Sequence, residues 1–285
     1  DVERVSLYYT DEVVGMEESP KDALKKKKNA SIFKGLELLK TGEAQAFVSA
    51  GNSGAVVAGA IFILGRLEGV RRPAIATLIP SLKDPFVLID TGANVDSKPF
   101  DLFQFGIMGS IFIEKVWGRK NPKIALLSIG EEIGKGNILV KKAHQLFTNS
   151  NLNYIGNIES RDIFRGEVDV VVCDGFIGNI CLKLSEGLAE VILEMLKNEV
   201  KNSFLYLLGM KLAEGAIKNF KKKADWREHG GAPLLGVKGN VIIAHGRSDA
   251  IAIENAIKVA INFIKFNLVE QLEKAIIETL TVEEI

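Results

Sequence analysis

Short apolar runs alternate with longer segments of helical periodicity along most of this chain. The runs are rich in Val, Ile and Leu, as in buried strands, and apolar residues three or four positions apart predict the helices that cover them. This alternation predicts a mostly parallel sheet with helices on both faces. The predicted strands are Ala46–Ser49, Ala74–Leu78, Phe86–Asp90, Ile124–Ile129, Tyr154–Ile158, Val168–Cys173 and Val241–Ala244, and the predicted helices are Ser53–Leu67, Lys98–Trp117, Asn137–Thr148, Asn179–Lys201 and Ser248–Glu278.

Polar loops that contain glycine follow five of these predicted strands. In an open α/β sheet, ligands bind beyond the carboxyl ends of the strands. We therefore expect the loops to meet at one rim of the sheet and to form an active site there. The five loops are SAGNSGA, IDTGANVDSK, SIGEEIGKGN, CDGFIGN and IAHGRSD.

The first of these loops joins a strand to a helix rich in Ala, Val and Gly, in the segment FVSAGNSGAVVAGA. Ser53 is predicted to cap the helix, and Gly51 and Gly54 allow the backbone to approach a ligand closely. A helix N-terminus after a glycine turn is a site for an anion. A tight connection between strand and helix explains the same residues equally well.

Three nucleotide or hydrolase motifs are incomplete or absent. The loop Gly130–Gly136 resembles a phosphate-binding P-loop, but its spacing is one residue short and Gly136 stands where Ser or Thr would bind magnesium. No G-x-G-x-x-G follows a strand, and Gly51–Gly54 is one residue short of the G-x-S-x-G elbow of serine hydrolases. The sequence therefore gives little support to nucleotide binding or to a catalytic serine.

Anion binding is the chemistry that the loops still favour. Lys135 lies between Gly134 and Gly136 and is a compact partner for phosphate, although most loop lysines are simply solvated. His245 is a candidate acid–base or phosphate-binding group, or else a structural loop residue. The remaining candidates all lie in these loops, and each asparagine or aspartate among them is explained as well by helix capping or a turn: Asn52, Asn94, Gly136, Asn137, Asp174 and Asn179.

Composition narrows the class of protein further. Lys plus Arg and Asp plus Glu both total 36 in 285 residues, so net charge does not indicate nucleic acid binding. Cys173 and Cys181 are the two cysteines and His residues number three, which argues for a reducing cytosol and against a disulfide framework or a zinc site. No metal or cofactor is predicted, and no apolar run is long enough to span a bilayer.

Several long segments resemble, in order, the phosphate acyltransferases of bacterial phospholipid synthesis, the PlsX family. The resemblance begins near Glu12 and continues to the last long helix. It implies a three-layer α/β/α fold similar to isocitrate dehydrogenase and phosphotransacetylase, usually dimeric, without a cofactor. The matching segments include SAGNSGAVVAGAIFILGRLEGVRRPAIATLIP, DTGANVDSKPFDLFQFGIMGSIFIEKV, NPKIALLSIGEEIGKGN, NYIGNIESRDI, VDVVVCDGFIGNICLKLSEG, HGGAPLLG and AHGRSDA.

The chain also departs from the family pattern. Nothing in it corresponds to the opening strand and Asp-Ala-Met-Gly-Gly-Asp loop, so we expect an N-terminally shortened acyltransferase domain over residues 1–285 whose activity without that segment is in doubt. Ser53 stands where relatives often carry Thr, which preserves the hydroxyl.

The resemblance implies transfer of a fatty acyl group from acyl carrier protein to inorganic phosphate, giving acyl phosphate. We expect the turn Gly51–Gly54 and Lys135 to hold phosphate, with Asn94 and Asn179 nearby and His245 donating to the oxyanion or the departing sulfur. Alternatives are a phosphotransacetylase-like enzyme that uses a coenzyme A thioester, and a non-catalytic membrane-associated scaffold that binds the carrier protein. A dehydrogenase of related fold is less well supported, because the nucleotide fingerprint is missing.

Two kinds of surface are expected around this site. The acidic carrier protein calls for a basic docking patch, either Lys25–Lys28 or the group Arg66, Arg71 and Arg72. Residues 202–226 combine an apolar cluster with lysines and are expected to form a helical hairpin that lies on an anionic membrane or at a homodimer interface. The expected location is thus cytoplasmic and peripheral to the membrane.

Overall fold

An eight-stranded sheet runs through the centre of the computed structural model, which describes residues 4–224, 227 and 230–283, without the side chains of 219, 221–224 and 280–283. The predicted hairpin 202–226 therefore ends, at Asp225 and Trp226, outside the described residues, as does His229. The strands are β1 (Ala46–Ser49), β2 (Ala74–Ile79), β3 (Phe86–Ile89), β4 (Ile124–Ser128), β5 (Tyr154–Glu159), β6 (Val170–Val172), β7 (Ala232–Leu235) and β8 (Asn240–Ile243).

Local signals begin and end several of the helices. Pro20 occupies the first turn of the first helix after Ser19, and the second helix ends at Gly42 in the left-handed conformation, φ 80°. The helices are α1 (Pro20–Lys26), α2 (Ser31–Thr41), α3 (Ser53–Gly59), α4 (Pro99–Trp117), α5 (Ile138–Thr148), α6 (Gly175–Lys201), α7 (Phe204–Leu212), α8 (Glu214–Ala224), α9 (Ala250–Lys265) and α10 (Leu268–Glu283), with a π-helical turn at Ala60–Leu64 and a 3₁₀ turn at Ile163–Arg165.

The sheet order is β1-β8-β7-β2-β3-β6-β4-β5, and four of its seven pairings are parallel. The antiparallel pairings are β8 with β7, β7 with β2, and β2 with β3. Because three reversals separate β8 from β3, β1 and β8 end at one rim of the sheet, whereas β3, β6 and β4 end at the opposite rim. We call these the first rim and the second rim.

Successive side chains of each strand point to opposite faces of the sheet, and helices cover both faces. One face packs against α4, α5, α9 and α10 in a cluster that contains Phe103, Phe147 and Phe263. The other face is covered by α1, α2 and α3 at the β8 end and by the first turns of α6 at the β6 end. The fold is therefore the predicted α/β arrangement, with helices on both sides of a mostly parallel sheet.

Several elements differ from the prediction, among them α6, which begins at Gly175 rather than at Asn179, and α3, which ends at Gly59 rather than at Leu67. Strand β7 was not predicted, because it is short and contains Pro233, which normally disfavours a strand interior. Helices α1 and α2 were also missed. The predicted helix Ser248–Glu278 is two helices, which separate at Asn267, a residue with φ 45°. Neither Gly nor Pro marks that break in the sequence.

Helices α6 and α7 expose an unusual amount of apolar surface. In α6 the buried residues are Gly175 and Gly178, and α7 has no buried residue. No helix within the described ranges combines the length and apolarity that crossing a membrane requires. The exposed large apolar side chains are Phe176, Ile177, Ile180, Leu184, Leu188, Val191, Ile192, Leu193, Met195 and Leu196 in α6, and Phe204, Leu205, Tyr206, Leu207, Leu208 and Leu212 in α7.

Candidate active site

The loops after β1 and β8 touch each other at the first rim. The backbone N–H of Ala244 donates to the Ser49 carbonyl at 2.8 Å, which extends the pairing of the two strands into their loops. The Ser49 hydroxyl accepts the N–H of Gly51 at 3.2 Å. The two loops therefore form one continuous surface, on which Ser53, Gly54 and His245 are exposed.

Asn52 holds this surface together and is itself buried, with 6% of its area exposed. Its Oδ1 accepts the N–H of Ala55 at 3.0 Å, so Asn52 caps α3, and the prediction that Ser53 does so is wrong. Its Nδ2 donates to the carbonyls of Gly15, Met16 and Glu18 at 3.0, 3.1 and 3.0 Å. Since protein groups occupy both ends of the amide, Asn52 positions the turn.

His245 projects from the loop after β8. Its Nδ1 accepts the N–H of Arg247 at 3.0 Å, so a neutral ring carries its proton on Nε2. Arg247 pairs with Glu190 of α6 at 3.2 Å. The neighbouring Ser248 hydroxyl is buried with no hydrogen-bond partner among the described residues.

Asp249 closes the same loop by capping α9, with its Oδ1 accepting the N–H of Ala252 at 3.0 Å. Its other oxygen accepts from Arg227 at 2.8 Å. The bond from Ala252, followed by that from Arg227, lowers the pKa of Asp249 below its ordinary value. Asp249 is thus an ionised structural group at the start of α9.

Asp90 organises the loop after β3 at the second rim and is fully buried. Its Oδ1 accepts the N–H groups of Ile75, Gly92 and Ala93 at 2.9, 3.1 and 3.0 Å. Its Oδ2 accepts the N–H and the Nδ2 of Asn94 at 2.7 and 2.9 Å. Burial raises the pKa of Asp90, and these bonds oppose the rise.

Asn94 and Asn179 behave differently within the second rim. The Asn94 Nδ2 donates to the Pro73 carbonyl at 2.7 Å as well as to Asp90, and its carbonyl accepts the N–H of Gly175 at 2.8 Å. Asn179 is half-buried beside Gly92, where a Cβ would lie 3.7 Å from the Asn179 amide nitrogen. Asp174 caps α6 by accepting the N–H groups of Phe176 and Ile177. Asn94 and Asp174 are therefore structural, whereas Asn179 faces the exposed loop.

The loop after β4 carries Lys135 into solvent. Asn137 caps α5 by accepting the N–H of Val140 at 2.9 Å. Gly136 has φ 96°, a left-handed value that favours glycine. Asn157 of β5 donates to the Glu132 carbonyl at 3.2 Å and so anchors the loop from below. The Lys135 side chain is exposed and makes neither a hydrogen bond nor an ion pair within the described part of the chain, whereas the backbone N–H of Lys135 donates to the Glu132 carbonyl at 2.9 Å.

The strand directions contradict the expectation that all five loops meet at a single rim. Ser53, Gly54 and His245 follow strands that end at the first rim, whereas Lys135 and Asn179 follow strands that end at the second. Sequence alternation locates strand ends but does not reveal the antiparallel steps through β7 and β2. The phosphate site therefore cannot combine the two groups as expected.

Helix α6 connects the two rims. It begins at Gly175 on the second rim and reaches Glu190, which pairs with Arg247 of the first-rim loop. Fifteen residues of helix span about 22 Å. Neither Glu190 nor Arg247 was predicted from the sequence, because a lone charge gives no sign of its partner.

Comparisons with known proteins agree with this architecture. The model of the family described as "Fatty acid synthesis protein" matches residues 2–271. The phosphate acyltransferase of Nitratidesulfovibrio vulgaris (strain DP4) is 50% identical over 273 residues, which cover 95% of this chain and 79% of the relative. That of Syntrophotalea carbinolica is 53% identical over 256 residues, covering 90% and 74%.

Two solved structures share the fold at low identity. A phosphotransacetylase from Streptococcus pyogenes has a TM-score of 0.54 at 19% identity and covers 90% of this chain and 70% of its own. A branched-chain phosphotransacylase from Enterococcus faecalis has a TM-score of 0.55 at 14% identity, with coverages of 88% and 97%.

Proposed function

Since the chain belongs to the phosphate acyltransferase family and is an enzyme of this type, we propose that it transfers a fatty acyl group from acyl carrier protein to inorganic phosphate, giving acyl phosphate for phospholipid synthesis. The assignment to the phosphate acyltransferases is supported by relatives of that name that are 50% and 53% identical to this chain over 95% and 90% of its length. The choice of acyl donor and the roles of individual residues are our proposal.

Phosphate binds at the first rim in this proposal. The joined loops after β1 and β8 expose the Ser53 hydroxyl, the imidazole of His245 and Gly54 on one surface, with Gly51 half-buried beside them. These groups are hydrogen-bond donors, or glycines that allow the backbone to approach, as an inorganic anion requires. Asn52 supports the site from below rather than contacting phosphate.

The reaction then needs positioning more than strong acid–base chemistry. A phosphate oxygen attacks the thioester carbonyl, the tetrahedral oxyanion collapses, and the carbon–sulfur bond breaks to release a thiolate. Near-attack geometry supplies about 7–11 kcal/mol of barrier lowering, and one oxyanion donor about 2.7–4 kcal/mol. The leaving thiol has an ordinary pKa of about 8.5, so it departs without a strong acid. In this proposal the Nε2–H of His245 donates to the oxyanion or to the departing sulfur.

In this proposal the carrier protein docks at the second rim, while its thioester reaches the phosphate at the first rim. Lys135 and Asn179 are accessible there, and Arg72 lies one residue before Pro73, whose carbonyl binds Asn94. Arg71 is already paired with Asp101 at 3.6 Å, and Arg66 donates to the Arg71 carbonyl. We therefore assign carrier docking to the side of Arg72, in preference to Lys25–Lys28, where Lys26 and Lys27 pair with Asp22 and Glu18.

Charge reversal tests this docking surface. Arg72→Glu is expected to raise the KM for acyl carrier protein several-fold while leaving the KM for phosphate unchanged. Lys25→Glu is the matched control, since it makes the same charge change on the other candidate surface. A larger effect of Lys25→Glu would move the docking site to α1.

Residues 202–226 contact the membrane in the same proposal. Phe204, Leu205 and Leu212 are exposed in α7, and Lys211 lies in its last turn. An exposed apolar helix with nearby lysines can lie in an anionic lipid surface. The exposed apolar side of α6 offers a second copy of the chain a homodimer interface, and the two contacts are compatible.

Acyl phosphate formation tests the proposal as a whole. The purified protein is supplied with phosphate and either acyl-loaded carrier protein or the matching acyl coenzyme A, and acyl phosphate is trapped as hydroxamate. We expect much higher kcat/KM with the carrier protein, and His245→Ala is expected to reduce kcat by about tenfold to a thousandfold. A higher kcat/KM with acyl coenzyme A would favour the phosphotransacetylase-like alternative. The absence of acyl phosphate with both donors would favour the non-catalytic scaffold that binds the carrier protein.

A further inference from the structure

A cavity of about 250 Å³ lies between the end of α4 and the middle of α9. Trp117, Phe112 and Val116 of α4 form one wall, and Val259 of α9 forms another. Leu78 of β2 and Pro233 of β7 form its floor, and Asn262 and the backbone of Gly231 supply the polar part of the lining. We call this space the Trp117 cavity.

The Trp117 cavity opens beside the first rim. Gly231 precedes β7, whose first residue Ala232 is opposite Ile243 at the end of β8. A Cβ on Gly231 would lie 2.9 Å from the Ile243 carbonyl, so the cavity lip touches the strand that leads to His245. The route from His245 into the cavity therefore passes over one strand end.

The walls of the cavity are held in place. Phe112 packs edge to face on Phe263 with ring centres 5.5 Å apart. The guanidinium of Arg119 lies 5.8 Å from the centre of the Trp117 ring and also pairs with Asp169 at 2.9 Å. Yet 43% of the Trp117 area is exposed, so the indole borders solvent as well as the cavity. A supported apolar space with an open mouth is suited to an apolar ligand.

We propose that the Trp117 cavity binds the distal part of the fatty acyl chain while the thioester lies at His245. This inference rests on the proposed function, because it takes the acyl group from that reaction. A cavity of about 150 Å³ accommodates the six carbons of benzene, so the Trp117 cavity has room for about ten carbons. The cavity thereby sets the preferred chain length.

Tryptophan fluorescence tests binding without relying on catalysis. The chain has two tryptophans, so Trp226→Phe leaves Trp117 as the single indole emitter. Alkyl phosphates from butyl to hexadecyl serve as probes. We expect a blue shift of the Trp117 emission and an affinity that rises about fourfold per methylene until the cavity is filled. An emission spectrum that is insensitive to every probe overturns the inference. This is also the result expected if a second copy of the chain covers the cavity.

Chain-length profiles with a matched pair of variants test the role in turnover. Val259→Phe fills the cavity, whereas Ile261→Phe adds the same ring at an exposed position of the same helix. We expect Val259→Phe to lower kcat/KM for dodecyl and longer donors at least tenfold relative to butyryl donors, and Ile261→Phe to leave the profile unchanged. Trp117→Ala, which enlarges the cavity, should move the optimum to longer chains.

The outcomes separate this inference from the proposed function. Normal acyl phosphate formation with an unchanged profile in Val259→Phe and Trp117→Ala overturns the cavity assignment and leaves the reaction intact. If the unmodified protein forms no acyl phosphate, the proposed function is wrong. The fluorescence titration then still shows whether the cavity binds alkyl chains.

Discussion

Replacing Asp90 by Asn tests whether the hydrogen bonds to its carboxylate stabilise the loop after β3 at the second rim. Asp90 accepts five hydrogen bonds while fully buried, three on Oδ1 and two on Oδ2. The asparagine keeps one carbonyl oxygen, which can continue to accept from Ile75, Gly92 and Ala93. Its NH₂ group then faces the N–H and the Nδ2 of Asn94, so two buried donors lose their acceptor.

The magnitude follows from those two donors. Each buried donor without an acceptor costs about 1–3 kcal/mol, so Asp90→Asn should lower the free energy of unfolding by about 2–6 kcal/mol. For a chain of this size, that corresponds to a fall in Tm of roughly 5–15 °C. Urea unfolding and thermal melting measure both values. Asp96→Asn is the control, because Asp96 is exposed in the same loop and should change stability by less than about 0.5 kcal/mol.

The pH dependence of the same pair checks the direction of the pKa shift. Burial raises the pKa of Asp90, so the folded protein holds that proton more readily than the unfolded chain. The contribution of Asp90 to stability is therefore greatest below its ordinary pKa of 3.8 and falls as pH rises through the raised value. The stability gap between the unmodified protein and Asp90→Asn should narrow across that window. A gap below 0.5 kcal/mol at all pH values, or one that widens with pH, would refute the reasoning.

Three further predictions concern other parts of the molecule. Asn52→Ala should lower the free energy of unfolding by about 2–4 kcal/mol in urea because it removes a helix cap and the anchor of the turn at Gly15, and unchanged stability would contradict the assigned role. Burial raises the thiol pKa of Cys173 and of Cys181, so iodoacetamide at pH 8 should label Cys173 only after unfolding and Cys181 more slowly than free cysteine, as mass spectrometry would report. Leu205→Glu should abolish flotation with anionic liposomes, whereas Leu184→Glu in α6 should retain it, and the opposite ranking would place the lipid contact on α6.

The alternation of apolar runs predicted most of the sheet because buried strands are short and rich in branched residues. Strand β1 was predicted to its last residue, and α4 differs by one residue at its start. Strand β7 was not predicted, because Pro233 is unusual within a strand. The antiparallel pairings of β7, which contribute to the separation of the two rims, were therefore not predicted either. Direction within a mixed sheet depends on which strands pair, which a single sequence does not display.

The candidate site was predictable in its residue types more than in its geometry. The glycine loops correctly indicated where strands end, but Asn52, Asn94 and Asp174 use their side chains within the protein. The sequence favoured an orienting role for Asp90 over a chemical one, but it did not identify the donors, which come from β2 and from the loop of Asp90 itself. Capping residues and ligand-binding residues look alike in sequence, since both are short polar side chains beyond strands.

The separate roles of the two rims are tested most directly by the KM for phosphate and for acyl carrier protein in Ser53→Ala and Lys135→Ala. Both side chains are exposed, so neither substitution should disturb the fold. A hydrogen bond to a charged group contributes about 1.5–3 kcal/mol, so Ser53→Ala should raise the KM for phosphate by about tenfold or more and leave that for the carrier protein unchanged. Lys135→Ala should do the reverse. A rise in the KM for phosphate confined to Lys135→Ala would contradict the assignment of phosphate to the first rim.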